Sequence, residues 1–174
     1  MAHSMDRRIV LVGFMACGKT TVGEGLARQF ECSFIDLDSQ ITESQGRSPA
    51  QIIKADGEAV FREIETLALR DVLQNRDARV IALGGGTWTI PANRTLIALH
   101  DCATVWIDAP FELCWYRITG STNTVRPLAP SWNSARKLYE ARRASYELAQ
   151  LRVEAHTKKK SRQMVSEITA ALAG

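Results

Sequence analysis

Long apolar runs are missing from this 174-residue chain. A membrane-spanning helix needs ~20 consecutive apolar residues, and stretches such as Ile9–Val12 and Val80–Leu83 fall far short of that. No transmembrane helix is encoded. Cysteine is sparse and scattered: Cys17, Cys32, Cys102 and Cys114 form no C-x-x-C pair, so neither a zinc site nor a disulfide framework is signalled and reduced thiols are expected. A surplus of one charge is absent too. The 22 basic residues against 19 acidic ones leave a formal charge of +3, short of the strongly basic face that nucleic-acid binding requires. Met1–Met5 lacks the apolar core of a secretory signal. It reads as an expression remnant or disordered start ahead of a native start at Met5, which points to the cytoplasm. No internal repeat is evident.

What is present is an ordinary globular composition, 45% hydrophobic and 24% charged. The length suits one domain over residues 6–174, large enough to bury roughly 70% of the unfolded chain's surface. Arg8–Phe14, Ser33–Asp38, the segment ARVIALGGG (78–86), ATVWIDA (103–109) and Arg152–Ala155 read as strands, several of them apolar throughout as in a parallel sheet covered on both faces. Between them lie helical patterns: Val22, Leu26 and Phe30 after Gly18, then Ala50–Lys54 behind Ser48-Pro49. Glu58–Gln74 follows, with Phe61, Ile64, Ala68 and Val72 as its buried stripe, and then Ala92–Leu99, Phe111–Thr119, Ser134–Leu151 and Ser161–Leu172. Strands alternating with helices predict a three-layer α/β/α sandwich with a mainly parallel five-stranded sheet. Gly120–Asn133 is the one long segment rich in Gly, Ser, Thr, Asn and Pro, and it reads as a lid reaching from about 118 to 134. Lys158–Lys160 reads as a solvated turn.

Gly13-Phe14-Met15-Ala16-Cys17-Gly18-Lys19-Thr20 satisfies G-x-x-x-x-G-K-[ST] after a buried strand and at the start of a helix, the context the motif needs. Its backbone N–H groups would cradle phosphates, Lys19, on a solvent-facing loop, would reach the terminal phosphates, and the Thr20 hydroxyl would ligate Mg²⁺. Cys17 sits where Lys19 and the loop amides favour a thiolate; an inert small residue facing the sheet is the other reading.

A phosphate cradle does not say where the phosphate goes. Asp36 and Asp38 alternate on the second strand, so a period of two places both on one face at its carboxyl end, one to orient Mg²⁺ through water and one to accept a hydroxyl proton; a cap and a turn residue is the plainer reading. Glu58, Arg62 and Glu65 share a helix face, as a ligand site or an exposed salt-bridge ladder. Gly84, Gly85 and Gly86 end a strand and either let a ligand approach the backbone or make a tight turn.

In order, GFMACGKTT, FIDLD, FREIE, a strand ending in GGG, RPL in a lid and R-x-x-x-Y before the last strand resemble the shikimate kinase family over nearly the whole chain. The resemblance implies a P-loop NTPase fold of the nucleoside-monophosphate-kinase type. It also implies an ATP- and Mg²⁺-dependent phosphotransferase that converts shikimate to 3-phosphoshikimate on the route to chorismate and the aromatic amino acids. Gly13, Ala16, Cys17, Gly18, Lys19, Thr20 and Thr21 would hold nucleotide, and Thr20 and Asp36 the metal. Asp38 would be the base, Arg62 and Arg142 the carboxylate ligands, with Glu65 in support and Gly84–Gly86 lining the acceptor site. Arg126 would close with the lid, and Arg117 would stack on adenine. Arg143, next to Arg142, is the alternative second carboxylate ligand.

The chain departs from the family pattern at Ala16, where glycine is usual and a negative φ is needed for alanine to be harmless. It departs also at Ala129, at Ala144 in place of a proline, and in a long Arg117-to-Arg126 spacing. A monomer acting on small molecules, without nucleic acid or membrane, is expected. The rivals are a kinase of the same fold for another acid or polyol, such as gluconate, and a nucleotide-dependent switch with no acceptor. An N-K-x-D-like guanine signature is absent.

Overall fold

The computed structural model describes residues 7–75, 78–121 and 126–174. The expected remnant at Met1–Met5 and residues 122–125 of the expected lid lie outside the described residues. Among the described residues thirteen elements follow in order: β1 (Ile9–Val12), α1 (Lys19–Gln29), β2 (Phe34–Asp36), α2 (Leu37–Gln45), α3 (Pro49–Asp56), α4 (Glu58–Asn75), β3 (Val80–Ala82), α5 (Pro91–Leu99), β4 (Ala103–Asp108), α6 (Phe111–Gly120), α7 (Trp132–Tyr146), β5 (Leu151–Glu154) and α8 (Ser161–Ala173). A 3₁₀ turn, Thr87–Thr89, precedes α5.

All strand pairs are parallel, in the order β2-β3-β1-β4-β5. The five-stranded parallel α/β sheet is therefore as the sequence predicts. Parallel strands covered on both faces must be apolar throughout, and β1, β3 and β4 are buried along their whole length. From β1 the chain crosses to β2 on one side and later returns across to β4 on the other. This reversal leaves a crevice at the strands' carboxyl ends, where sheets of this kind bind ligands. No helix among the described residues is long and apolar enough to cross a membrane.

The structure corrects several boundaries. β2 ends at Asp36, whose side chain accepts from the Ser39 amide at 3.2 Å and caps α2, a helix the sequence pattern did not reveal. Asp38 is consequently a helical residue, and the two aspartates do not alternate on a strand. On α4 the inward positions are Phe61, Glu65, Leu69, Val72 and Leu73, while Ile64 and Ala68 are half-buried. Ser48 and Gln51 form a reciprocal capping box at α3, as the Ser-Pro start signal implies. A second box, Ser131 with Ser134, starts α7 at Trp132, so the span between α6 and α7 is shorter than the composition suggests.

Candidate active site

The carboxyl ends of β1, β2 and β3 open into a cavity of about 1050 Å³ whose floor is the glycine-rich loop. A smaller one of about 90 Å³ adjoins it beneath α3 and α4. Met15, Asp38, Gly84, Gly85 and Arg126 border both, so the two are ends of one cleft.

In the loop, Gly18 caps α1 at φ 112°, a conformation open to glycine. Ala16 stands at φ 59°, left-handed, so the negative φ that would make it harmless is not what the fold imposes. An L-residue there costs ~1–2 kcal/mol, partly offset by alanine's smaller unfolded-state entropy, ~0.4–1 kcal/mol. Ala16→Gly is therefore expected to raise stability by roughly 0.5–1 kcal/mol in urea unfolding; a loss of that size would contradict the left-handed loop. Lys19, expected to face solvent, is only 9% exposed. Its Nζ donates to the Gly13 and Phe14 carbonyls at 2.9 and 2.8 Å and lies 3.7 Å from Cys17 Sγ. Cys17 is buried under the loop. Arg117 Nη1 donates to the Ala16 carbonyl at 3.0 Å and borders the large cavity.

Asp36 and Thr20 meet directly: the Thr20 hydroxyl donates to Asp36 Oδ2 at 2.7 Å. Asp38 faces both ends of the cleft from the first turn of α2. Its Oδ1 is buried with no hydrogen-bond partner. Burial first, then the like charges of Asp36 and Glu65, push this carboxyl up to about 6 against the opposing pull of Lys19 and Arg126. Arg126 Nε is likewise buried and unpartnered; burial lowers its pKa while Asp38 and Asp36 resist the shift.

At the smaller end, Arg62 is no exposed ladder residue. Its Nη1 donates to Glu65 Oε2 at 2.7 Å and its Nη2 to Glu58 Oε1 at 3.1 Å. Burial opposes its charge, but the two glutamates prevail and its pKa rises. Arg142, of which 7% is exposed, borders the same end of the cleft. Burial depresses its pKa, partly countered by its hydrogen-bonded neighbour Tyr146. Tyr146 is fully buried and donates to the Gly85 carbonyl at 2.5 Å. Arg143 points elsewhere, pairing with Asp108 at 2.9 Å and lying over the Trp106 ring. Of the two adjacent arginines, Arg142 borders the cleft and Arg143 is turned to Asp108.

The three glycines are explained by what presses on them. A Cβ on Gly84 would come 2.7 Å from Glu65 Oε1 and 2.9 Å from Asp38 Oδ1, one on Gly85 3.1 Å from Arg142 Nη1, and one on Gly86 2.6 Å from Arg62 Cζ. Each makes room for a charged side chain. Within the basic run Lys158 and Lys160 are exposed as expected, but Lys159 is tied to the Glu154 carbonyl and to Glu167 and borders the large cavity with Ser161 and Met164. Thr87, whose hydroxyl donates to Glu65, carries no motif beyond its place after GGG, whereas Tyr146, hydrogen-bonded to Arg142, closes the R-x-x-x-Y pattern.

A family model described as shikimate kinase matches residues 15–173. A shikimate kinase of Ruegeria pomeroyi is 35% identical over 175 residues, covering 99% of this chain and 88% of that protein. A shikimate kinase from Acinetobacter baumannii in complex with shikimate superposes with a TM-score of 0.87 at 32% identity, over 98% of this chain and 95% of that one. A gluconokinase from Sinorhizobium meliloti reaches a TM-score of 0.62 at 17% identity over 97% and 93% of the two chains, a likeness of fold alone.

Proposed function

The chain belongs to the shikimate kinase family, and from that premise we propose that it transfers the γ-phosphoryl group of ATP to the 3-hydroxyl of shikimate, giving 3-phosphoshikimate and ADP. The observation that carries this reading is a set of cations without a salt-bridged carboxylate among the described residues: Lys19 and Arg142, both buried, and the half-buried Arg126, whose Nε is buried. Burying a charge without an opposite charge beside it is costly. A triphosphate at the loop and a carboxylate at the smaller end of the cleft supply the missing negative charge.

Loop amides, the α1 N-terminus and Lys19 hold the terminal phosphates. Arg62 and Arg142 grip the planar carboxylate of the acceptor, which fixes its ring and aims the hydroxyl at the phosphate. Asp38 stands between the two ends, with an oxygen free of protein donors to take the hydroxyl proton. Arg126, close enough to Asp38 and Asp36 to feel both, meets the charge spread over the transferring group. The joined hydroxyl and carboxylate of Thr20 and Asp36 are hard oxygen donors at the cavity wall, a set that fits Mg²⁺, which keeps most of its waters and the substrate phosphates as ligands. When bound, the ion neutralises phosphate charge. A monomer is the working unit we propose; ATP as co-substrate and four free cysteines suit the cytoplasm.

Steady-state kinetics test the assignment. Arg62→Ala and Arg142→Ala are each expected to raise the KM for shikimate about 10–100-fold, the equivalent of ~1.5–3 kcal/mol for a charge-assisted contact, with the KM for ATP little changed. Arg143→Ala should leave both constants near wild type. If Arg143→Ala has the largest effect on shikimate, the carboxylate site is wrongly placed.

A further inference from the structure

Glu65 is a fully buried carboxylate with one donor on each oxygen. Arg62 Nη1 donates to Oε2 at 2.7 Å, and the Thr87 hydroxyl donates to Oε1 at 2.6 Å. Thr87 is itself fully buried and opens the 3₁₀ turn that follows the glycines, its amide donating to the Gly84 carbonyl at 3.2 Å. Its carbonyl accepts from Asn93 Nδ2 at 3.0 Å, and Asn93 Oδ1 accepts from the Thr66 hydroxyl at 3.0 Å. Thr66 and Glu65 are consecutive on α4. The polar chain therefore leaves α4, passes through α5 and the turn, and returns to α4 one residue away. Thr66, Thr87 and Asn93 border neither cavity.

We propose that Thr87, held in place by Asn93, is a positioning residue for acceptor binding: by occupying Glu65 Oε1 it limits Glu65 to a one-oxygen grip on Arg62 and leaves the guanidinium able to bind the substrate carboxylate. A carboxylate and a guanidinium left to themselves favour a two-bond, fork-to-fork pairing. Glu58 already takes Nη2 and Nε of Arg62. Were Glu65 free to swing its second oxygen onto the same group, four of the five N–H donors of Arg62 would be held inside the protein, leaving one, too few for a two-bond grip on a substrate carboxylate. The Thr87 hydroxyl prevents this at no charge cost, because it is neutral and fully buried. The inference rests on Arg62 being a carboxylate ligand, as proposed above.

Thr87→Val keeps the shape and removes the donor. Its expected result is a KM for shikimate raised about tenfold or more, the size of one lost hydrogen bond to a charged group, with kcat and the KM for ATP within about twofold of wild type. Thr87→Ser, which keeps the hydroxyl, is expected to restore the wild-type KM. Thr87→Cys, with a weak S–H donor, gives an intermediate value and carries the test if the valine variant does not fold. In an Arg62→Ala background the valine substitution should add nothing, since the two act through one contact. A silent Thr87→Val, a serine variant as impaired as valine, additivity with Arg62→Ala, or an equal deterioration of kcat and both KM values each overturns the proposal. Arg62→Ala with an unchanged KM for shikimate overturns the carboxylate assignment and this inference together. A normal Arg62→Ala defect beside a silent Thr87→Val overturns this inference alone.

Discussion

Replacing Asp38 by asparagine is expected to yield a folded protein that turns over at least ~10²-fold more slowly yet melts at a higher temperature at pH 8. Activity falls because the amide cannot take the hydroxyl proton, the role proposed for Asp38. Stability rises because the native fold holds the Asp38 carboxyl in a site that disfavours its charge, with burial first and Asp36 and Glu65 next, and pushes it from 3.8 to about 6. A carboxyl raised in the native state binds its proton more tightly folded than unfolded. Stability of the wild type therefore declines as pH climbs from about 4 to about 6, and above that the full cost of ~3 kcal/mol remains. Asparagine removes the cost, so the ligand-free variant should melt roughly 5–10 °C higher at pH 8, with the difference vanishing near pH 4. In the wild type kcat/KM should rise with pH through about 6 as Asp38, the proposed base, loses its proton. A variant less stable than wild type at pH 8 would contradict the strained-carboxylate account. Asp36→Asn provides the contrast: Asp36 meets Thr20 at the proposed metal site, so its variant should chiefly shift the Mg²⁺ dependence of the rate.

Lys19→Ala should show the second large effect, a loss of at least ~10²–10³-fold in turnover through removal of the cation proposed to hold the terminal phosphates. The buried position of this side chain changes what is expected of the fold. Two loop carbonyls, Gly13 and Phe14, lose their donor, so the melting temperature should drop by about 2–4 °C for each kcal/mol lost, instead of staying constant as it would for a solvent-facing lysine. Circular dichroism should still report the native fold. Retention of a tenth or more of wild-type activity would remove Lys19 from the phosphate site.

The contiguous motif from Gly13 to Thr20 was legible in the sequence because its chemistry and its strand-loop-helix context are both local. So was the parallel sheet, since apolar strands covered on both faces leave a direct trace in composition. What escaped the sequence depends on contacts between distant segments. Asp36 serves as a helix cap instead of continuing a strand because its carboxylate finds the Ser39 amide and the Thr20 hydroxyl, sixteen residues back, at once. The α4 stripe includes Glu65 because Arg62 neutralises, and Thr87 hydrogen-bonds, a carboxylate at a core-facing position, which no apolar periodicity can announce. Helical spacing put Arg142 and Tyr146 on one face, but only the Asp108 and Trp106 contacts of Arg143 separate the two arginines. Ala16 adopts the left-handed conformation because the loop demands it, against the preference of the residue.

The central claim is that the cleft couples ATP consumption to one acceptor whose carboxylate it grips. ADP release measured in the presence of ATP and Mg²⁺, with no acceptor, with shikimate and with gluconate, tests it directly. Release that depends on shikimate, with one phosphate appearing on its 3-hydroxyl and little response to gluconate, is the predicted result. Release at the same rate with and without shikimate, as in a switch protein, or a stronger response to gluconate, would contradict the account.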